Sequence, residues 1–266
     1  DGQRMVTASY DATAILWDVS TGQRETLRGH LLGIHSVCFS PDGTHIATGS
    51  ADGTARLWNV QTGEETKRFG QESAQYADGR VVMSVCVSRD GQRILTSNRA
   101  AIQEWDLQTG QLRGEMLRGY GVDVLRLSHD GRKLGAAYLS QGHAKLLDAT
   151  DSTKVTTLHL PSKTYIWDLA FAPSDKQVAL ATGNRQVTIW NSENGGLVRT
   201  LQGHTDHVTG VCFRPDGQRL ASVSWDGTLK VWNPLVDQTA RAVGNDSVSF
   251  ANACFSPSGQ QIAAAC

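Results

Sequence analysis

Apolar and polar residues alternate along this chain in short bursts. The run IHSVCFS from Ile34 alternates and stops at Pro41-Asp42-Gly43. HIATGS follows and stops at Asp52-Gly53. TARLWNV comes next and leads into the polar QTGEE, after which ETKRF closes the stretch. Runs of five to seven residues between Asp-Gly turns predict antiparallel strands joined as hairpins. No segment sustains helical periodicity. A single four-stranded sheet cannot bury both of its faces, whereas copies stacked around an axis can.

The chain supplies such copies. Trp17, Trp58, Trp105, Trp190 and Trp232 are each followed by Asp or Asn, at gaps of 41, 47, 85 and 42. The 85 is two periods, and its middle falls on Leu147-Asp148, where Leu replaces Trp. A second marker runs in phase with the first. SPDG at Ser40–Gly43 recurs as SRDG, SHDG, APSD, RPDG and SPSG, beginning at Ser88, Ser128, Ala172, Arg214 and Ser256. Two motifs in phase over the whole length mark a repeat protein with a unit of about 42 residues.

Composition narrows the functional class. The charge is balanced, with 25 basic and 26 acidic residues. Nucleic-acid binding calls for a clustered basic excess, and none is seen. There is no run of 18 apolar residues, so no membrane helix is expected. The 27 glycines against 6 prolines fit many tight turns. Five scattered cysteines in a chain this long read as reduced thiols in a cytoplasmic setting.

The Gly-His … Trp-Asp pattern, the period and the four strands per unit resemble the WD-repeat β-propeller family over the whole chain. The resemblance implies an all-β propeller of four-stranded antiparallel blades, with six to seven blade positions and incomplete terminal blades. It divides a single domain, 1–266, into units at 1–28, 29–69, 70–117, 118–160, 161–201, 202–243 and 244–266. It also implies a buried tetrad of His, Ser/Thr, Asp and Trp. Two units match in full: His30, Thr48, Asp52 and Trp58, then His204, Ser222, Asp226 and Trp232. The first unit retains Thr7, Asp11 and Trp17. Elsewhere the Asp position holds Arg99, Gln141 and Asn184, so those blades are expected to rest on apolar packing and to be less rigid.

Other chemistry fits this chain less well. Ser/Thr, His and Asp also make a protease triad, but these sets recur once per blade under a Trp and lack an oxyanion hole. His204, Asp206 and His207 could ligate a metal, but His204 is already used and no fourth ligand is near. No metal or cofactor is therefore expected. Cys38, Cys86, Cys212 and Cys254 share one repeat position and read as small buried hydrophobes. A disulfide needs Cβ atoms about 4 Å apart, and sheets pack about 10 Å apart. Gly-rich pieces such as GNDS lead from no strand into a helix, so they form no phosphate loop. Trp167-Asp168 lies out of phase, in the first strand of its unit, and is no tetrad Trp.

In this family the top-face loops carry the contacts, and the resemblance places candidates there residue by residue. The positions before the tetrad Asp are Tyr10, Ala51, Asn98, Ser140, Gly183 and Trp225. Positions flanking the start of each first strand include His35, Val81, Met83, Asp123, Tyr165, Trp167, His207 and Thr209. Trp225, Tyr165, Trp167 and His207 fall on two consecutive units, with Tyr10, His35 and Met83 as lesser candidates. Val81 and Met83 are expected to pack. Exposed aromatics are common anchors of protein interfaces, so the expected partner is a protein or peptide. No nucleic acid, membrane or small-molecule substrate is expected. The expected role is a non-enzymatic interaction scaffold, attached to a larger signalling protein. The alternatives are an assembly component acting through its rims and a propeller enzyme. DGQRMVTASY at the start matches DGQRLASVSW from Asp216, and the chain ends within a second strand, so a fragment of a longer protein is expected.

Overall fold

A computed structural model describes residues 2–75, 79–119, 121–139, 142–160, 164–236, 241–243 and 249–265. Ser140, Gln141 and the GNDS segment lie outside them. The chain forms two compact units, residues 1–125 and 126–266. Among the described residues there is no helix, and every strand pairing is antiparallel.

In the first unit, blade 1 has three strands, Arg4–Ala8, Thr13–Asp18 and Arg24–Arg28. Blade 2 has four, Ile34–Phe39, His45–Ser50, Thr54–Asn59 and Glu65–Gly70. Blade 3 runs Ser84–Val87, Arg93–Ser97, Ile102–Asp106 and Leu112–Met116. Blade 4 opens at the unit boundary with Val124–Leu127 and continues Lys133–Ala137, His143–Asp148 and Val155–His159. Blade 5 runs Ile166–Phe171, Gln177–Thr182, Gln186–Asn191 and Leu197–Gln202. Blade 6 runs Val208–Phe213, Leu220–Ser224, Leu229–Trp232 and Arg241–Val243. Blade 7 has two strands, Asn252–Phe255 and Ile262–Ala265. These are the four-stranded meanders of a β-propeller, with short blades at both ends.

The hairpins form where the turn chemistry puts them. In blade 2, Gly43 takes φ 71°, and Asp42 Oδ1 accepts from Thr44 N at 3.0 Å. Only glycine holds that left-handed conformation without cost, with Asp and Asn next best. Blade 5 uses that allowance: Asp175 of APSD takes φ 57° in place of glycine.

A feature invisible in the polar pattern sits at the start of three first strands. In blades 2, 5 and 6 the register slips by one between Ile34 and Ser36, Ile166 and Asp168, and Val208 and Gly210. The skipped residues are His35, Trp167 and Thr209. A bulge of this kind leaves one residue unpaired and re-aims its side chain.

The core lies between successive sheets within each unit. Ala14, Leu16 and Leu27 of blade 1 pack with Ile34, Ile46 and Trp58 of blade 2. Ala47, Leu57 and Phe69 of blade 2 pack with Val85, Val87 and Ile94 of blade 3. Ile189 and Leu201 of blade 5 pack with Val211, Leu220 and Trp232 of blade 6. Each fully buried large side chain contributes about 1.5–3 kcal/mol.

The shared cysteine position does not behave uniformly. Cys86 is buried and Cys38 and Cys212 are half-buried, but Cys254 is exposed. The expectation of a buried hydrophobe fails at Cys254 because its two-stranded sheet leaves that side of the strand uncovered among the described residues. Burial pushes the Cys212 thiol up to about 12, so it is not a nucleophile at neutral pH.

Candidate functional site

Two closed polar chains sit in blades 2 and 6. Trp58 Nε1 donates to Thr48 Oγ1 at 2.9 Å. Thr48 Oγ1 lies 2.7 Å from His30 Nε2, and His30 Nδ1 lies 2.8 Å from Asp52 Oδ2. Leu31 N and Thr54 N also donate to the Asp52 carboxylate. In blade 6, Trp232 Nε1, Ser222 Oγ, His204 and Asp226 repeat the arrangement, with every link at 2.8 Å. The proton order follows: indole to hydroxyl, hydroxyl to Nε2, and Nδ1–H to carboxylate.

Burial pushes both carboxyls up, but their hydrogen bonds outweigh it. Asp52 is held well below the usual range by His30, Thr54 and Leu31. Asp226 is held at about 2 by Thr228, Thr205 N and His204. Burial lowers the His204 imidazole, against the pull of Asp226. The hydroxyls of Thr48 and Ser222 are wholly buried, so they present no nucleophile to a substrate.

The remaining sets are partial. In blade 1, Trp17 Nε1 donates to Thr7 Oγ1 at 3.0 Å, while exposed Asp11 binds only its own turn. In blade 3, Trp105 Nε1 donates to Thr96 Oγ1 at 3.0 Å. In blade 5 the residue ten before Trp190 is Leu180, and the indole turns to Thr188 Oγ1 at 2.9 Å. Nothing in the repeat pattern marks Thr188 as that substitute partner.

A second polar device is invisible in the sequence pattern. In three first strands, a polar side chain reaches a backbone N–H in the first strand of the next blade. Val85 N donates to Ser36 Oγ at 3.2 Å, and Leu125 N to Ser84 Oγ at 3.1 Å. Val211 N donates to Asp168 Oδ2 at 3.2 Å. Asp168 is buried and also pairs with Arg126 of blade 4 at 2.7 Å. Burial raises its carboxyl, opposed by Arg126. A polar residue in an alternating strand reads as solvent-facing, which hid this role.

The top-face candidates separate into two groups. In the second unit, Tyr165, Trp167, His207 and Trp225 form one aromatic cluster. His207 stacks on Trp225, with centroids 4.9 Å apart and planes 19° apart. Trp167 leans on both, at 5.1 Å from Trp225 and 6.0 Å from His207. Tyr165 lies 6.0 Å from Trp167. Trp167 Nε1 donates to His207 Nδ1 at 3.3 Å. Tyr165 and Trp225 remain 47% and 43% exposed, large values for aromatic side chains already in mutual contact. The blade 5 bulge aims Trp167 into this cluster. A Cβ on Gly183 would come within 3.3 Å of both Tyr165 and His207, so glycine there leaves them room.

In the first unit, Tyr10 is 81% exposed and meets His35 edge-on at 5.3 Å. His35 is half-buried. Its Nε2 is buried with no hydrogen-bond partner among the described residues. Burial, reinforced by the Arg99 charge, lowers its pKa. Met83 is half-buried, and Val81, Ala51 and Asn98 are buried. Asn98 Oδ1 instead caps its own turn at Ala100 N and Ala101 N. Among the described residues, no group of three or more His, Cys, Asp or Glu is placed to hold a metal. Among the described residues, no helix is long and apolar enough to cross a membrane.

Comparison with known proteins agrees with this architecture. The family model of the WD domain, G-beta repeat, matches residues 22–59, 152–191 and 195–233. The chain is 27% identical over 202 residues to the WD repeat-containing protein SL1-17 of Schistosoma mansoni, covering 74% of this chain and 64% of that one. It is 26% identical over 221 residues to autophagy-related protein 16 of Arabidopsis thaliana, covering 78% and 41%. It is 27% identical over 143 residues to the transcription factor unc-37 of Caenorhabditis elegans, covering 48% and 22%. The matched segment spans less than two thirds of each relative.

Proposed function

We propose that this chain, a member of the WD-repeat β-propeller family, is a non-catalytic scaffold that docks a partner protein or peptide on the aromatic cluster of blades 5 and 6. One observation carries the reading. Tyr165, Trp167, His207 and Trp225 come from two blades and three loops, yet they converge into one exposed patch. Loops on a rigid scaffold are where binding residues concentrate. Clustered aromatics supply large contact area at small entropic cost and dominate interface energetics. The tetrads hold the adjoining loops: Thr205 N donates to Asp226, and Asp226 directly follows Trp225.

The buried hydroxyls of the tetrads argue against acyl-transfer chemistry at these triad-like sets. The relatives' names, a transcription factor and an autophagy-related protein, belong to different processes. They name no shared process, so the proposal stops at a class of activity, partner docking. A cytoplasmic signalling role stays part of this proposal.

The test is capture of partners from native lysate by the wild-type chain and by the triple variant Tyr165→Ala/Trp167→Ala/Trp225→Ala, with folding checked by circular dichroism. A captured partner is then titrated directly against both. Loss of about 2 kcal/mol or more of affinity in the variant is expected for hot-spot aromatics. Unchanged affinity would move the interface to the rims, where Leu197 and Val198 of the outer blade 5 strand are exposed.

A further inference from the structure

We infer that His207 is a proton-operated latch on the aromatic cluster, so that the docking surface is assembled when this imidazole is neutral and loosened when it is protonated. The inference rests on the docking reading for its consequence, but its geometry stands in the free protein.

His207 has two bonding edges, and the structure assigns each. Its Nδ1 accepts the indole N–H of Trp167 at 3.3 Å. An acceptor nitrogen carries no proton, so the tautomer present has its hydrogen on Nε2. That edge faces Asp206, whose Oδ1 lies 4.0 Å from Nε2. The ring face is taken by Trp225 at 4.9 Å. The groups packed around His207 come from four elements. They are Asp206 from its own loop, Trp167 with the titratable Tyr165 from the start of blade 5, Gly183 from a blade 5 hairpin, and Trp225 from a blade 6 hairpin. Of these, Asp206 carries the charge beside the ring.

Protonation changes one edge decisively. A second proton on the ring goes to Nδ1, where it points at the Trp167 N–H. Donor then faces donor, and the hydrogen bond between the two blades cannot persist. Histidine is the side chain whose charge ordinarily changes between about pH 5 and 8. The imidazolium keeps its stack on Trp225 and draws toward Asp206, so the ring has a second resting arrangement. Trp167 is the side chain released. Because Trp167 touches Tyr165, Trp225 and His207 alike, its release separates the blade 5 half of the patch from the blade 6 half.

The experiment is a pH titration of the free chain by nitrogen–proton correlation spectra, following the indole Nε1–H signals, with Trp167→Phe used to assign the Trp167 signal. The expected result is a one-proton transition of the Trp167 signal between about pH 8 and pH 5, absent in His207→Gln, whose side-chain oxygen can accept at every pH. The Trp58 and Trp232 signals, which report the tetrads, serve as internal folding controls. A Trp167 signal that ignores pH over that range while the controls stay folded overturns the inference, as does one that titrates identically in His207→Gln. Neither result bears on whether partners dock, because no partner is present. For a partner captured as above, the expected weakening on protonation is roughly two- to tenfold, the worth of one hydrogen bond, and His207→Gln abolishes that pH dependence.

Discussion

Thr48 is the hub of the blade 2 tetrad, and replacing it with valine tests the tetrad with little change of shape. Its hydroxyl accepts from Trp58 Nε1 and donates to His30 Nε2. Valine fills the space and serves neither neighbour. An indole donor and an imidazole acceptor are then left unpaired, and both residues are buried. Each orphaned buried group costs about 1–3 kcal/mol, so Thr48→Val is expected to cost roughly 2–6 kcal/mol. Thr7→Val is the matched control. Thr7 holds only Trp17 Nε1, in a partly exposed site where water can replace it, so it should cost about 1 kcal/mol or less. Thr7 and Thr48 lie in the same compact unit, so one unfolding transition reports both. The assay is thermal unfolding followed by circular dichroism. At about 2–4 °C per kcal/mol, Thr48→Val should lower Tm by about 4 °C or more and clearly exceed Thr7→Val. Equal shifts for the two variants would refute the hub role and leave Trp58 burial as the whole of its contribution.

Two further outcomes are expected. The folded state holds the Asp226 carboxyl at about 2, below its unfolded value near 3.9. Its stabilisation is thus complete above about pH 4 and lost as pH falls towards about 2. Burial lowers the His204 imidazole. The fold therefore favours its neutral form, and that contribution fades as pH falls below about 6.5. Both act in the same direction, so Tm measured against pH should fall steadily below about 6.5, and a flat profile down to pH 3 would contradict the tetrad electrostatics. Separately, Asp168→Ala removes the acceptor for Val211 N and should cost about 1–3 kcal/mol by urea denaturation. Asp168→Asn keeps an acceptor oxygen and should recover most of that loss, whereas equal losses would assign the effect to the Arg126 ion pair.

Local pattern carried the blades well, because turn and strand signals coincide in each unit. The Asp-Gly turns and five- to seven-residue runs place Ile34–Phe39, His45–Ser50 and Thr54–Asn59 almost to the residue. Repeat alignment also singled out Trp225, Tyr165, Trp167 and His207, which proved to be in contact. It could not tell exposure at equivalent positions, since exposure depends on what the neighbouring loop does. Tyr10 is open, Ala51 and Asn98 are buried, and His35 is half-covered by Tyr10. The bulges were illegible because one unpaired residue leaves the polar pattern of a short strand unchanged. The role of Asp168 is hidden for a related reason: its partners, Arg126 and Val211 N, lie 42 and 43 residues away.

The links from Ser36, Ser84 and Asp168 to the following blade have a lopsided chemistry. One side is a chosen side chain, and the other is a main-chain amide that any residue except proline provides. A repeat that carries the acceptor can therefore be placed before any other repeat and still find its donor. Gene duplication or recombination could shuffle, add or delete whole units without a matching change in the neighbour. The coupling tolerates divergence on one side of each seam, which leaves the adjacent loops free to acquire new surfaces.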